Sequence, residues 1–89
     1  MRVVKVSAMW CPSCIIMGKI WKNLKNKYSD IEFVEYDLDM DEEEVKDFNV
    51  GNKLPEIILF DDNNNEIKRI IGERKEEELE KEIGELYEK

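Results

Sequence analysis

The two cysteines of the chain, Cys11 and Cys14, are separated by Pro12 and Ser13 and are preceded by Trp10. At this spacing one sulfur can attack a disulfide, and the other lies close enough to attack the mixed disulfide that results. The pattern therefore predicts thiol–disulfide exchange. We assign Cys11 as the nucleophile and Cys14 as the resolving thiol.

The predicted local structure supports this division of roles. Segment Val3–Ser7 is predicted to be a strand that leads into a short exposed turn, and a helix is predicted to begin at or just after Cys11, with Pro12 in its first turn. The free N–H groups and the dipole of a helix N-terminus favour a thiolate, and C-x-x-C thiols there have pKa values of about 3.5–7.5. We expect a depressed pKa for Cys11 but not for Cys14, which lies one turn further in and should be more buried.

Two other interpretations of the cysteine pair have less support. A zinc site needs about four ligands, and the chain has no histidine and no further cysteine. An inert buried pair does not account for the tryptophan and proline at a strand-to-helix junction. The absence of histidine also removes the usual general base of a serine or cysteine hydrolase. We predict neither a metal nor a cofactor.

The composition predicts one small domain covering residues 1–89. The 89 residues are 42% hydrophobic, and 14 basic and 22 acidic residues give a net charge of -8. This charge argues against nucleic acid and anionic membrane partners and favours neutral or basic proteins. No apolar run has the length of a signal peptide or membrane span, so we expect a cytoplasmic protein. In that compartment a lone cysteine pair is more often catalytic or redox-sensing than structural.

Hydrophobic periodicity predicts the element order βαβαββα. Apolar residues recur at helical spacing from Pro12 to about Tyr28, and the strand Ile31–Leu38 should lie parallel to the first strand through a right-handed crossover. Asp39 to Asp41 can cap a short helix, and we interpret Glu42–Glu44 as its solvated first turn rather than a docking surface. The remaining predicted elements are a loop at Asn49–Lys53, a hairpin of Glu56–Phe60 and Glu66–Ile71, and a helix from about Arg74 to Tyr87.

Three separated features resemble the thioredoxin fold: the W-C-P-S-C motif at 10–14, the pair Leu54-Pro55, and Gly72 before the last helix. The resemblance covers nearly the whole chain. It implies an α/β fold with a four-stranded mixed sheet, helices on both faces, and exchange on protein disulfides. It further implies a cis Leu54–Pro55 bond and a substrate groove bordered by Trp10, Pro12, Leu54-Pro55 and Gly72.

The subfamily is less clearly marked than the fold. The length is typical of shorter variants that lack the N-terminal strand and helix of full-size thioredoxins, a feature that glutaredoxins share. Pro12-Ser13 is similar to the glutaredoxin pattern without its aromatic residue. Trp10 favours thioredoxin, and the segments Leu54-Pro55-Glu56 and Gly72-Glu73-Arg74 do not resemble those that hold glutathione.

The leading hypothesis is a dithiol reductase of protein disulfides, with a peptide bound along the Pro55 loop through backbone hydrogen bonds. Its partners would be disulfide-containing proteins and a reductase or other thiol electron donor. The alternatives are a glutathione-dependent, glutaredoxin-like activity and a non-catalytic redox sensor that binds one partner.

Lys5 occupies the position, six residues before Cys11, where thioredoxins carry a buried aspartate that helps to move the resolving cysteine's proton. Glu35 falls where that aspartate's lysine partner would be, so the charges are exchanged. We predict a partly buried pair in which Glu35 is the base for Cys14 and Lys5 holds it in place, since either charge alone would be costly there. The alternative is that Lys5 extends to solvent and Glu35 lies on the surface.

Overall fold

The computed structural model describes residues 1–51 and 53–87. The elements follow the predicted order, and a 3-10 turn continues the second helix. They are β1 (Arg2–Ser7), α1 (Pro12–Lys27), β2 (Glu32–Asp37), α2 (Glu42–Val45) with the 3-10 turn (Lys46–Phe48), β3 (Glu56–Phe60), β4 (Glu66–Ile71) and α3 (Glu76–Tyr87). Residue 52 of the predicted loop and residues 88–89 of the predicted domain lie outside the described residues.

The four strands form one sheet in the order β2-β1-β3-β4. β1 pairs with β2 in parallel and with β3 antiparallel, and β3 pairs antiparallel with β4. The predicted mixed sheet and parallel crossover are therefore confirmed. Residues 3–6 of β1 are all buried, as expected for a central strand that is covered on both faces. The turn that leads from β1 to Cys11 and α1 thus leaves from the middle of the sheet.

Alternate residues of β1 and β3 face opposite sides of the sheet, so each side has its own apolar layer. The layer against α1 and α3 contains Val3, Met17, Trp21, Leu24, Ile31, Ile57, Leu59, Ile70, Leu79 and Ile83. The layer on the α2 side contains Val4, Val6, Ala8, Cys11, Cys14, Val45, Leu54, Ile58 and Phe60. The prediction of helices on both faces is confirmed, and both cysteines belong to the second layer.

The start of α2 differs in detail from the prediction. Asp41 occupies the N-cap position, but its side chain makes no hydrogen bond to the helix. Its Oδ2 instead accepts the Asp37 N–H at 2.8 Å, while Asp37 Oδ1 accepts the N–H groups of Asp39 and Met40 at 2.9 and 3.0 Å. These carboxylates stabilise the turn after β2 rather than the helix, and that turn carries Asp39 toward the cysteines.

Within residues 1–51 and 53–87, none of the helices has the length and apolar character needed to span a bilayer.

Candidate active site

Cys11 lies at the N-cap of α1, with extended backbone angles of φ -95° and ψ 111° and with Pro12 next to it in the first turn. The backbone N–H of Cys14 donates to Cys11 Sγ at 3.3 Å. A helix N-terminus stabilises negative charge, and an ionised acceptor strengthens such a bond. Cys11 Sγ thus lies at the positive end of the α1 dipole, the position predicted for the attacking sulfur.

The burial of the two thiols differs from the prediction. Cys11 and Cys14 are each 6% exposed, so the expectation that Cys14 is the more buried is wrong, although the turn before Cys11 is exposed as predicted. Cys11 is buried because a distant segment of the chain packs against it. The Cys11 thiol donates a hydrogen bond to the carbonyl oxygen of Leu54 at 3.7 Å. Trp10, the residue before Cys11, is 62% exposed.

Burial raises the pKa of Cys14 to about 11, and the hydrogen bond of its thiol to Cys11 acts in the same direction. A backbone hydrogen bond with Ala8 and the positive charge of Lys5 act in the opposite direction. Cys14 therefore keeps its proton at neutral pH, in agreement with the prediction that its pKa is not depressed. A resolving attack by Cys14 requires a group that takes this proton.

The predicted substrate-binding positions meet next to Cys11. The Leu54–Pro55 bond is cis, which confirms the prediction. The carbonyl oxygen of Pro55 accepts the N–H of Gly72 at 2.9 Å. Gly72 has a φ of 89°, a conformation that favours glycine because a Cβ atom would crowd the backbone. This bond ties the end of β4 to the segment that faces the nucleophile.

Trp10 is held by a residue that the sequence did not identify as part of the site. Its indole Nε1 donates to Asp39 Oδ2 at 2.7 Å. An available signal was the position of Asp39 after β2, because parallel neighbouring strands bring their carboxyl ends to the same edge of a sheet. Four exposed apolar side chains lie within two residues of Trp10, Asp39 or the cysteines in sequence: Met9, Ile15, Ile16 and Met40.

Lys5 and Glu35 form the predicted pair across β1 and β2. They are register partners, and Lys5 Nζ lies 3.2 Å from Glu35 Oε1. The Lys5 side chain is 2% exposed and that of Glu35 is 53% exposed, so Lys5 does not extend to solvent, although the carboxylate is at the surface. Lys5 Nζ also lies 5.2 Å from the ring centroid of Trp21, a cation–π distance. A buried cation thus lies close enough to Cys14 to affect its pKa.

Both cysteines are free thiols. Among residues 1–51 and 53–87, no group of three or more His, Cys, Asp and Glu side chains is arranged to hold a metal ion. The chemistry available at this site is that of a dithiol on a helix N-terminus.

A comparison with protein families gives a match to the Thioredoxin model over residues 1–85. The chain belongs to the thioredoxin family.

Two plant thioredoxins are among its relatives. The chain is 37% identical over 84 residues to Thioredoxin H2 of Arabidopsis thaliana, a match that covers 94% of this chain and 61% of the relative. It is 35% identical over 79 residues to Thioredoxin H5 of Oryza sativa subsp. japonica, covering 89% of this chain and 57% of the relative. The chain therefore spans about three-fifths of the length of the curated thioredoxins that it matches. These matches favour the thioredoxin interpretation over the glutaredoxin-like alternative.

Solved thioredoxin structures have the same fold. Thioredoxin NaTrxh from Nicotiana alata superposes with a TM-score of 0.85 at 32% identity, covering 94% of this chain and 70% of that one. Oxidised mitochondrial thioredoxin 3 from Saccharomyces cerevisiae superposes with a TM-score of 0.83 at 31% identity, covering 94% and 76%. The thioredoxin fold predicted from the sequence is confirmed.

One further residue, next to Pro55 in sequence, was predicted only as the start of a strand. Glu56 directly follows Pro55 and is 1% exposed, although it is a carboxylate. The available signal was its place at the head of an otherwise apolar strand, Glu56–Phe60, which predicts burial.

Proposed function

We propose that this protein is a thioredoxin-like oxidoreductase that reduces disulfide bonds in other proteins. The observation that carries the proposal is the position of Cys11 Sγ, which accepts the Cys14 N–H at 3.3 Å and faces the Leu54 carbonyl. A nucleophilic sulfur thus lies between a helix N-terminus and a backbone segment that an extended peptide can approach. Membership of the thioredoxin family supports this assignment.

The first step is attack by the Cys11 thiolate on one sulfur of the substrate disulfide. A bond forms between Cys11 Sγ and that sulfur, and the substrate S–S bond breaks. The other substrate sulfur leaves as a thiolate and takes a proton from solvent. The product is a mixed disulfide between Cys11 and the substrate.

The second step is attack by the Cys14 thiolate on Cys11 Sγ. The Cys11–Cys14 disulfide forms, and the second substrate sulfur leaves as a thiolate. The substrate disulfide has then gained two electrons, and the protein dithiol has lost them. Because the pKa of Cys14 is raised to about 11, we propose that Glu35 accepts its proton, while Lys5 positions the carboxylate and stabilises the Cys14 thiolate.

The proposed substrate is an extended segment of a disulfide-containing protein. It would lie along Leu54-Pro55, with Trp10, Pro12 and Gly72 at the borders of the groove. A net charge of -8 favours neutral or basic substrates. A thiol reductase or another dithiol would restore the reduced form, and a reducing compartment such as the cytoplasm suits this direction of electron flow.

Reduction of insulin with dithiothreitol as electron donor tests the activity. We expect turnover with the unaltered protein and none with Cys11→Ser. The Cys14→Ser variant should retain substrate proteins as mixed disulfides through Cys11, and mass spectrometry would identify them. Turnover that requires glutathione would instead support the glutaredoxin-like function. Inertness toward both donors, with capture of one partner only after oxidation, would support the redox sensor.

A further inference from the structure

Glu56 is a buried carboxylate at the first position of β3, directly after Pro55. Its exposure is 1%, and the rest of β3, residues 57–60, is apolar and buried. Removing a carboxylate from water is costly unless it is paired with a cation and hydrogen-bonded. An apolar residue would fill this position of the strand without that cost. The contacts of the carboxylate therefore indicate what it does.

Each carboxylate oxygen of Glu56 has a different partner. Oε1 accepts from Arg69 Nη1 at 3.1 Å, and Oε2 accepts the backbone N–H of Gly51 at 2.7 Å. Arg69 reaches Glu56 from β4, where its register partner is Ile58. Its Nε and Nη2 also donate to Glu66, at 3.1 and 2.8 Å. The arginine is thus fixed between one exposed and one buried carboxylate, and it neutralises the buried one.

The bond to Gly51 encloses Leu54-Pro55, the segment that lies next to the nucleophile. Gly51 and Glu56 are five residues apart in sequence, and Leu54 and Pro55 lie between them. The Leu54 carbonyl faces the Cys11 thiol at 3.7 Å. The Pro55 carbonyl is fixed separately by the Gly72 N–H at 2.9 Å. The two bonds hold the segment on either side of Leu54.

We propose that Glu56 is a positioning residue for substrate binding. Held by Arg69, it sets the place of the Leu54-Pro55 backbone relative to Cys11, and this backbone receives the substrate peptide. The inference rests on the proposed reduction of protein disulfides. Substrates that need the backbone for docking should depend on Glu56, whereas a small disulfide that needs only the Cys11 thiolate should not.

The test compares Glu56→Gln with the matched control Glu66→Gln. Both remove a carboxylate from Arg69, but only Glu56 touches Gly51. For Glu56→Gln we expect a rise in the KM for insulin of roughly tenfold, the effect of weakening a hydrogen bond to a charged group. The rate with the small aromatic disulfide 5,5′-dithiobis(2-nitrobenzoate) should stay within about twofold of the unaltered protein, since Glu56 does not contact the reacting sulfurs. Glu66→Gln should leave both values unchanged.

A second pair of variants tests the same bond without altering the buried carboxylate. Gly51→Pro removes the N–H donor at an exposed position, and Gly51→Ala keeps it. A Cβ atom at residue 51 would lie at an ordinary contact distance of 3.9 Å from Glu56 Oε2. The KM for insulin should therefore be higher for the proline variant than for the alanine variant. This comparison decides the question if Glu56→Gln does not fold.

An activity-independent readout separates this inference from the proposed function. Hydrogen exchange of the Gly51 amide should be faster in Glu56→Gln than in Glu66→Gln, whether or not insulin is a substrate. Equal exchange in the two variants, or equal KM values with an active protein, would overturn the positioning role. Absence of insulin reduction by the unaltered protein would contradict the proposed function instead, and the exchange result would still decide whether Glu56 fixes the segment.

Discussion

At the scale of single residues, the proton of Cys14 has a consequence that can be measured. Burial raises the pKa of this thiol to about 11, whereas an unfolded chain holds the same proton with a pKa of roughly 8.5. The folded state therefore keeps the proton over a pH range in which the unfolded state loses it. This contribution to stability is fully present below about pH 8.5 and is lost as pH rises toward 11.

We expect the ¹³Cβ resonance of Cys14 in the reduced protein to titrate with a midpoint near pH 11. Across the same pH range, the unfolding free energy of the reduced protein should fall relative to that of Cys14→Ser. Urea denaturation at a series of pH values provides that comparison. A Cys14 midpoint below pH 9 would show that burial does not control this thiol.

Glu35 is expected to affect only the second chemical step. General acid–base catalysis increases reaction rates by about 10²–10⁴-fold. Glu35 is half-exposed, so water can replace it in part. We therefore expect Glu35→Gln to slow resolution of the mixed disulfide by roughly tenfold. Formation of the mixed disulfide should be nearly unchanged. Stopped-flow measurement separates the two steps. The matched control is Glu32→Gln, another exposed carboxylate on β2, whose register partner is Arg2. If Glu35→Gln resolves the mixed disulfide at an unaltered rate, the Lys5–Glu35 pair has a packing role only.

We expect Lys5 to lower the unfolding free energy of the protein while it speeds resolution of the mixed disulfide. A buried lysine is costly to desolvate, and Lys5→Met would leave Glu35 in contact with water rather than as a buried, unpaired charge. The unfolding free energy of Lys5→Met should therefore be unchanged or higher. Loss of the positive charge should raise the pKa of Cys14 further and slow resolution. Destabilisation by more than about 2 kcal/mol in urea would contradict this account, because it exceeds the value of a cation–π contact with Trp21.

At the scale of elements, the junction between β4 and α3 depends on Gly72. Within residues 1–51 and 53–87, a Cβ atom there would meet only Arg74 Nη1, at an ordinary 3.8 Å, so substitution is limited by the φ of 89° rather than by space. Gly72→Ala should cost about 1–2 kcal/mol in unfolding free energy, and it should weaken substrate binding as the N–H shifts away from Pro55.

The helical glycine Gly18 provides the control for that prediction. Among the residues that the structure describes, no atom beyond the neighbouring residues and backbone of α1 lies within 4 Å of a Cβ atom at this position. Gly18→Ala should therefore raise stability by about 0.5–1 kcal/mol, the usual gain for alanine over glycine in a helix. Urea denaturation of both variants gives the comparison. Equal stability of Gly72→Ala and the unaltered protein would show that the backbone at residue 72 relaxes without cost.

The elements themselves could be predicted from local patterns, because helices and strands differ in the period at which apolar residues recur. The register of β1 and β2 followed as well, and it paired Lys5 with Glu35 as expected. The prediction that the Asp41 side chain caps α2 was wrong, because this side chain accepts a hydrogen bond from the Asp37 N–H on the other side of the turn. A capping residue and a turn residue have the same local sequence pattern.

At the scale of the whole molecule, the parts that could not be predicted are contacts between distant segments. The burial of Cys11 depends on Leu54, 43 residues away along the chain, and the position of Trp10 depends on Asp39. The thiols were predicted from spacing alone, because the chemistry of a C-x-x-C pair depends on neighbouring residues. The environment of the thiols could not be predicted, since the placement of loops follows from packing of the complete sheet and its helices.

The strand order leaves β2 at one edge of the sheet, where its unpaired backbone groups could template the addition of a strand from another molecule. Two exposed carboxylates, those of Glu32 and Glu35, lie along this edge. Two copies that met edge to edge would bring like charges together, which opposes growth of a continuous intermolecular sheet. Glu35, which we propose as the acceptor of the Cys14 proton, would thus also disfavour this edge-to-edge pairing, and that effect would not depend on catalysis.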